Sequence, residues 1–170
     1  VVTTLILLVV SILISSVAIY YSVNIISTRL QTEEVRLYKQ HIWVNSTGAV
    51  GALKIQNLGG RDILIDKIET RGVEDSWSDI YFYRVPSGTT ISGDLNVTSY
   101  DNLSGASCVI DGKTYTLASE DIALISGGDL LVYIKGPDNI STDDIGTTVS
   151  ISVFTGMSQY ITECNVESAS

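Results

Sequence analysis

No charged side chain, no glycine and no proline occurs between Val1 and Thr28 of this 170-residue chain. That absence excludes a water-soluble monomer with the segment exposed. At about 1.5 Å per residue, a helix of this length reaches roughly 42 Å, beyond the ~30 Å hydrocarbon core of a bilayer. Val9, Val10, Ile12, Leu13 and Ile14 cover nearly every direction around the axis, so lipid or other helices must surround it. Basic residues are scarce as well, 10 Lys and Arg against 19 Asp and Glu, for a net charge of −9. With no basic stripe to displace counterions from phosphate, no nucleic acid partner is expected. Histidine occurs once, as His41, and beside Trp43 at the helix exit it reads as a packing or junction residue rather than a base. Two cysteines, Cys108 and Cys164, are too few and too far apart for a four-ligand zinc site. There is no Gly-rich phosphate loop, Walker motif or nucleophile elbow. These absences imply no enzyme, no cofactor and no metal.

What is present divides the chain in two. Beyond Thr28 the pattern turns amphipathic, with Leu30, Val35, Leu37 and Tyr38 among Arg29, Glu33, Glu34, Arg36 and Lys39. Arg29 with Glu33, and Glu33 with Arg36, stand at helical pairing distance, so one helix over residues 1–40 is the economical reading. Residues 41–170 hold 17 Asp and Glu against 7 Lys and Arg, an acidic head of one self-sufficient domain. Its period is alternating. Ala52 to Asn57, Asp62 to Ile68, Ile80 to Val85, Ser107 to Ile110, Lys113 to Leu117, Leu130 to Lys135, Thr147 to Phe154 and Gln159 to Cys164 read as strands. Asp111-Gly112 supplies the positive φ angles of a two-residue hairpin. Eight or nine strands after one helix give an α+β chain with an antiparallel, Ig-like β-sandwich head.

Several residues are candidates for particular roles. In a secreted head Cys108 and Cys164 would pair, and two buried free thiols are the alternative. Asn45, Asn96, Asn102 and Asn139 begin Asn-x-Ser/Thr sequons, with Asn96 and Asn102 best placed in a loop for glycosylation. Asp138, Asp143 and Asp144 match no calcium loop and read as a solvated turn rather than a cation site. In Tyr81-Phe82-Tyr83, alternation puts Phe82 on one face and both tyrosines on the other. Ser11, Ser15, Ala18 and Ser22 recur at spacings of four, three and four, forming one seam of small residues. They would admit a close helix neighbour, or the serines would bond back to the carbonyl four residues earlier.

An uncharged helix opening the chain at Val1-Val2-Thr3-Thr4-Leu5-Ile6, ahead of a β head with Leu53-x-Ile55-x-Asn57-x-Gly59 and Ile63-x-Ile65, resembles the archaeal type IV pilin superfamily of adhesion pilins and archaellins. The resemblance implies a processed chain, cleaved from a short basic leader by a prepilin peptidase. It further implies residence in the cell membrane before assembly, then polymerisation by a pilus machinery into an extracellular homopolymer whose core is residues 1–40. Leu5 stands where bacterial pilins carry a glutamate, and the helix lacks the breakers common in them, which favours the archaeal branch. Val1-Val2 lacks the small residues expected of an archaellin, so an adhesion filament is favoured over a motility filament; a monomeric membrane-anchored binding domain is the main other class, ahead of an enzyme whose site is built from ordinary-looking Ser, Asp and Tyr residues. Val1, Leu5 and the four small residues are the expected assembly positions. Leu5→Asp would place an unpaired charge among apolar neighbours. It should abolish fibres in electron micrographs of surface material, and retained polymerisation would mean that the first turn is wet.

Overall fold

The computed structural model describes residues 1–169, Arg29 by its backbone alone. One helix, α1, spans Val2–Gln31 with no Gly or Pro to interrupt it. The described strands are β1 (Val35–Val44), β2 (Ala49–Asn57), β3 (Ile63–Thr70), β4 (Val73–Glu74), β5 (Ile80–Arg84) and β6 (Ser107–Ile110). They continue with β7 (Lys113–Leu117), β8 (Ile122–Leu124), β9 (Asp129–Lys135), β10 (Thr148–Thr155) and β11 (Gln159–Ser168). The class is α+β: a long apolar helix followed by a mostly antiparallel, curled sheet. Hydrogen bonds run through the strands in the order β4-β3-β10-β11-β1-β2-β9-β5-β7-β6, with β8 on β3.

One correction concerns the end of the helix. The helix does not reach residue 40: it ends at Gln31, and residues 35–44 are a strand. Val35-Arg36-Leu37-Tyr38 can be read with either period, and the sheet decides, because Val35 and Leu37 pack in the core while Arg36 and Tyr38 are exposed. The Arg29–Glu33 pairing falls on a side chain outside the described residues, while Glu33 lies beyond the helix and Arg36 pairs instead with Glu34 at 3.2 Å. The same strand joins the strands of the head into one continuous path. β1 pairs antiparallel with β2 on one side and parallel with β11 on the other, joining the two arms of the sheet. The inner core draws Leu53, Leu130 and Val132 from one arm and Ile65, Ile68 and Ile151 from the other, so the sheet curls around its own apolar face.

A bulge makes β1 fit this role. The register with β2 slips between Tyr38 and His41, and Lys39 takes φ 53°. The extra residue reverses the facing of the strand beyond it: Val35 and Leu37 point inward before the bulge, Ile42 and Val44 after it. His41 and Trp43 are thereby turned to the outer face, where their rings stack at 4.9 Å. There the β6–β7 hairpin and residues 86–106 cover Trp43, Tyr81 and Tyr133 with Leu95, Leu103 and Tyr115. The hairpin turns at Asp111 (φ 50°) and Gly112 (φ 72°), as expected from that dipeptide. In β5, Phe82 packs with the inner core and Tyr81 and Tyr83 with the outer cluster, which is the alternation expected.

The cysteines are free thiols, contrary to the expected pairing. Cys108 sits on the edge strand β6 in the outer cluster, whereas Cys164 on β11 packs against the inner core. Five strands lie between them in the sheet, and they occupy opposite faces, far outside the ~7 Å Cα reach of a disulfide. Burial raises both thiols, Cys164 to about 11.

One buried carboxyl gives the head a pH dependence. Asp75 accepts from the Thr70 hydroxyl at 2.7 Å, yet burial, with Asp138, Asp79 and Glu69 nearby, raises its pKa to about 6. The folded state therefore holds this proton more tightly than the unfolded chain, whose carboxyl titrates near ~3.9. Stability contributed by Asp75 is greatest below ~4 and falls as pH rises through about 6. Asp75→Asn keeps an acceptor for Thr70 without the charge. It should stabilise the chain by about 1–3 kcal/mol at pH 8 and by nothing at pH 4, as read from denaturant unfolding in detergent micelles.

Candidate assembly surface

The bare helix is the most extensive unsatisfied surface of the molecule. Every large apolar side chain from Val2 to Leu30 is exposed, Val10 least so at 43%. The stretch Val2–Thr28 has a mean hydropathy of 2.7 and is long and apolar enough to cross a membrane. Leu5 lies in the first turn, its amide donating to the Val1 carbonyl at 3.1 Å. The serines take the back-bonded arrangement: Ser11 donates to Leu7 O at 2.7 Å, Ser15 to Ser11 O and Ser22 to Ala18 O at 2.8 Å. Hydroxyls held this way need no outside partner and lie close to their own backbone. The seam through Ser11, Ser15, Ala18 and Ser22 thus stays both exposed and low in relief, so the two readings of these residues are compatible.

The joint between helix and head is short and fully engaged. Only residues 32–34 separate α1 from β1. Leu58 N and Gly59 N donate to Glu34 O at 2.7 and 3.1 Å, and Gly60 N donates to Thr32 O at 3.2 Å. From the other side the Thr155 and Tyr160 hydroxyls both donate to the Glu33 carboxylate. Asn57, fully buried, holds the turn that makes these contacts. Its amide nitrogen donates to the carbonyls of Arg61, Leu124 and Ile125, and its oxygen accepts from Gly59 N at 3.0 Å. A Cβ on Gly59 would lie 2.6 Å from Thr32 O and 2.8 Å from Glu34 N, so the backbones approach this closely only over glycine. Neither the role of Asn57-x-Gly59 nor that of Glu33 as a tether is evident from the sequence; an Asn and a Gly bracketing a turn between apolar strands are the available signal.

The other candidates are distributed over the head. Asn96, Asn102 and Asn139 are exposed, and Asn45 is half-buried in the β1–β2 turn, where its oxygen accepts from Thr47 N and Gly48 N. Asn102 already donates to the Thr98 hydroxyl and to Val109 O, at 2.9 and 3.1 Å, whereas Asn96 stands in the long covering loop. His41 lies in β1 rather than at the helix exit. Its Nε2 is 3.0 Å from Asp94 Oδ1 and its Nδ1 3.7 Å from Glu167, so the ring ties the covering loop to the sheet. That contact, ahead of the other causes, holds the Asp94 carboxyl below its ordinary range. The acidic turn is occupied by an arginine: Arg71 Nε donates to Asp138 at 2.6 Å and Nη1 to Asp144 at 3.0 Å. Asp144 also accepts from Ser141 N, the first of the causes that lower its pKa.

In comparisons with known proteins, no protein-family model and no curated protein matches the chain. The geometry of the joint is testable by itself. Gly59→Ala should force the connector and the β2–β3 turn apart and cost about 1–3 kcal/mol, the range for overpacking. Amide exchange should accelerate at residues 58–60. Gly93→Ala, where a Cβ meets nothing within 4 Å, is the control and should leave both unchanged.

Proposed function

We propose that this chain is the structural subunit of an extracellular filament of the archaeal type IV pilus kind, polymerising through α1 and serving surface adhesion. The observation that carries the reading is the rigid joint. A binding module on a membrane anchor has no need of a fixed head, whereas the residues 32–34 here are held by both the β2–β3 and β10–β11 turns. Such a joint makes the head's position a fixed function of where the helix sits, which a regular polymer requires.

The helix supports the same reading. Taken as a cylinder about 10 Å across and about 40 Å long, α1 has a wall on the order of 1,300 Å². One neighbouring helix covers a stripe of it, so several copies, or lipid, are needed to cover an all-round apolar surface. In this scheme the chain waits in the membrane after processing by a prepilin peptidase, and an assembly machinery moves the helix from lipid into a bundle of its own copies. The acidic heads face water around that bundle, with their sequons available to glycans. An archaellin differs chiefly in the motor it is attached to.

The deciding experiment is to shear source cells without detergent, image the released material by electron microscopy and identify its main chain by mass spectrometry. Uniform fibres made of this chain are expected. Recovery only as a detergent-soluble monomer would leave an anchored domain. Ser15→Phe, which fills the seam, should reduce fibre yield at least tenfold while circular dichroism of the head stays unchanged. Normal fibre abundance would remove the seam from the interface.

A further inference from the structure

Moving an apolar helix from lipid into a helix bundle exchanges one dry environment for another and yields little hydrophobic free energy. An apolar surface that is wet before assembly and dry after it would supply what that exchange lacks. The base of the head carries one. Ile26 and Leu30 on the last turns of α1, the connector residues Thr32 and Glu34, and Leu58-Gly59-Gly60 of the β2–β3 turn line an open groove of about 610 Å³. Ile26, Leu30 and Leu58 are 58%, 57% and 42% exposed. Ile125 and Met157, on the neighbouring β8–β9 and β10–β11 turns, are exposed at the same end of the head. Ile26 lies at the end of the uncharged span and the other lining residues lie beyond Thr28, so in a membrane-inserted chain most of the groove faces headgroups and water rather than acyl tails.

We infer that this groove receives the uncharged helix of a second copy of this chain, and that its drying favours assembly over residence in the membrane. The inference rests on the filament reading and names a surface of the head within it. Three features select the occupant. One wall of the groove is α1 itself, so a helix packing along Ile26 and Leu30 runs directly onto Leu58. The helix of a second copy has no charge from Val1 to Thr28 to desolvate there, and its own apolar wall needs several neighbours to cover it. Gly59-Gly60 leaves the turn side of the groove low, and the contacts of Thr32 and Glu34 keep that side fixed against α1.

The test uses the full chain with Leu58→p-benzoylphenylalanine, irradiated in assembled fibres, with the linked peptides read by mass spectrometry. Links from position 58 into residues 1–28 of another copy are expected. The same probe at Val109, more open than Leu58 but on the edge strand β6, should give none to the helix. Links only to lipid, to another copy's head or to an unrelated protein overturn the inference. In parallel, Leu58→Arg should lower fibre yield at least tenfold with an unchanged circular dichroism spectrum, whereas Val109→Arg should not; wild-type yield from Leu58→Arg would also overturn it. Absence of fibres from the unmodified chain would remove the filament reading and this inference together, whereas fibres whose links miss the helix remove this inference alone.

Discussion

An all-round apolar helix gives way to a folded head within three residues, and the rest of the architecture depends on how that joint is made. At a helix end the last carbonyls lose their intrahelical partners, and a buried peptide group without a partner costs on the order of 1–3 kcal/mol. Here the β2–β3 turn supplies the partners for Thr32 and Glu34, and Glu33 reaches the β10–β11 turn with its side chain. Each arm of the curled sheet therefore holds the joint once. The head cannot swing without breaking a contact to one arm or the other.

That arrangement follows from β1. Because the strand emerging from the joint is also the one that links both arms, the helix is continuous with the most central element of the head rather than with an edge. Force or position applied to α1 enters the sheet at its middle. The bulge at Lys39 lets ten residues serve this purpose, placing Val35 and Val44 in one core although their positions differ by an odd number. It also turns Lys39 and His41 toward the covering loop, where Lys39 donates to Ser92 O and His41 meets Asp94.

The sequence made legible whatever depends on local pattern. The apolar span, the alternating strands and the Asp111-Gly112 turn are each written in fewer than thirty consecutive residues, and each stands where the pattern puts it. What the pattern hid depends on partners far along the chain. Residues 35–40 become a strand because β2 pairs with residues 35–38, and nothing local distinguishes that outcome from another turn and a half of helix. Arg71 holds Asp138 and Asp144 from 67 and 73 positions away, so a turn that reads locally as merely solvated is in fact tied down by an ion pair. Cys108 and Cys164 were the only thiols available to each other, but a sheet of this order puts them on different faces. The exposed apolar face of the helix was visible through composition, whereas Glu33, Asn57 and Gly59 acquire their role only once the turns converge.

Charge sets the remaining condition on any polymer of this chain. Residues 41–170 carry ten net negative charges, so neighbouring heads repel one another, while Val1–Thr28 carries none. Repulsion between exposed charges falls away over a Debye length of about 8 Å at physiological salt. Heads spaced further apart than that are nearly indifferent to one another; heads in contact are not. A helix-centred filament resolves the conflict by geometry, since subunits that touch at the axis are carried apart at the radius of their heads. The acidic surface then opposes head-to-head aggregation and leaves helix-to-helix contact unopposed. Under the filament proposal, the distribution of charge along the chain thus favours the same surface as the distribution of apolar residues does.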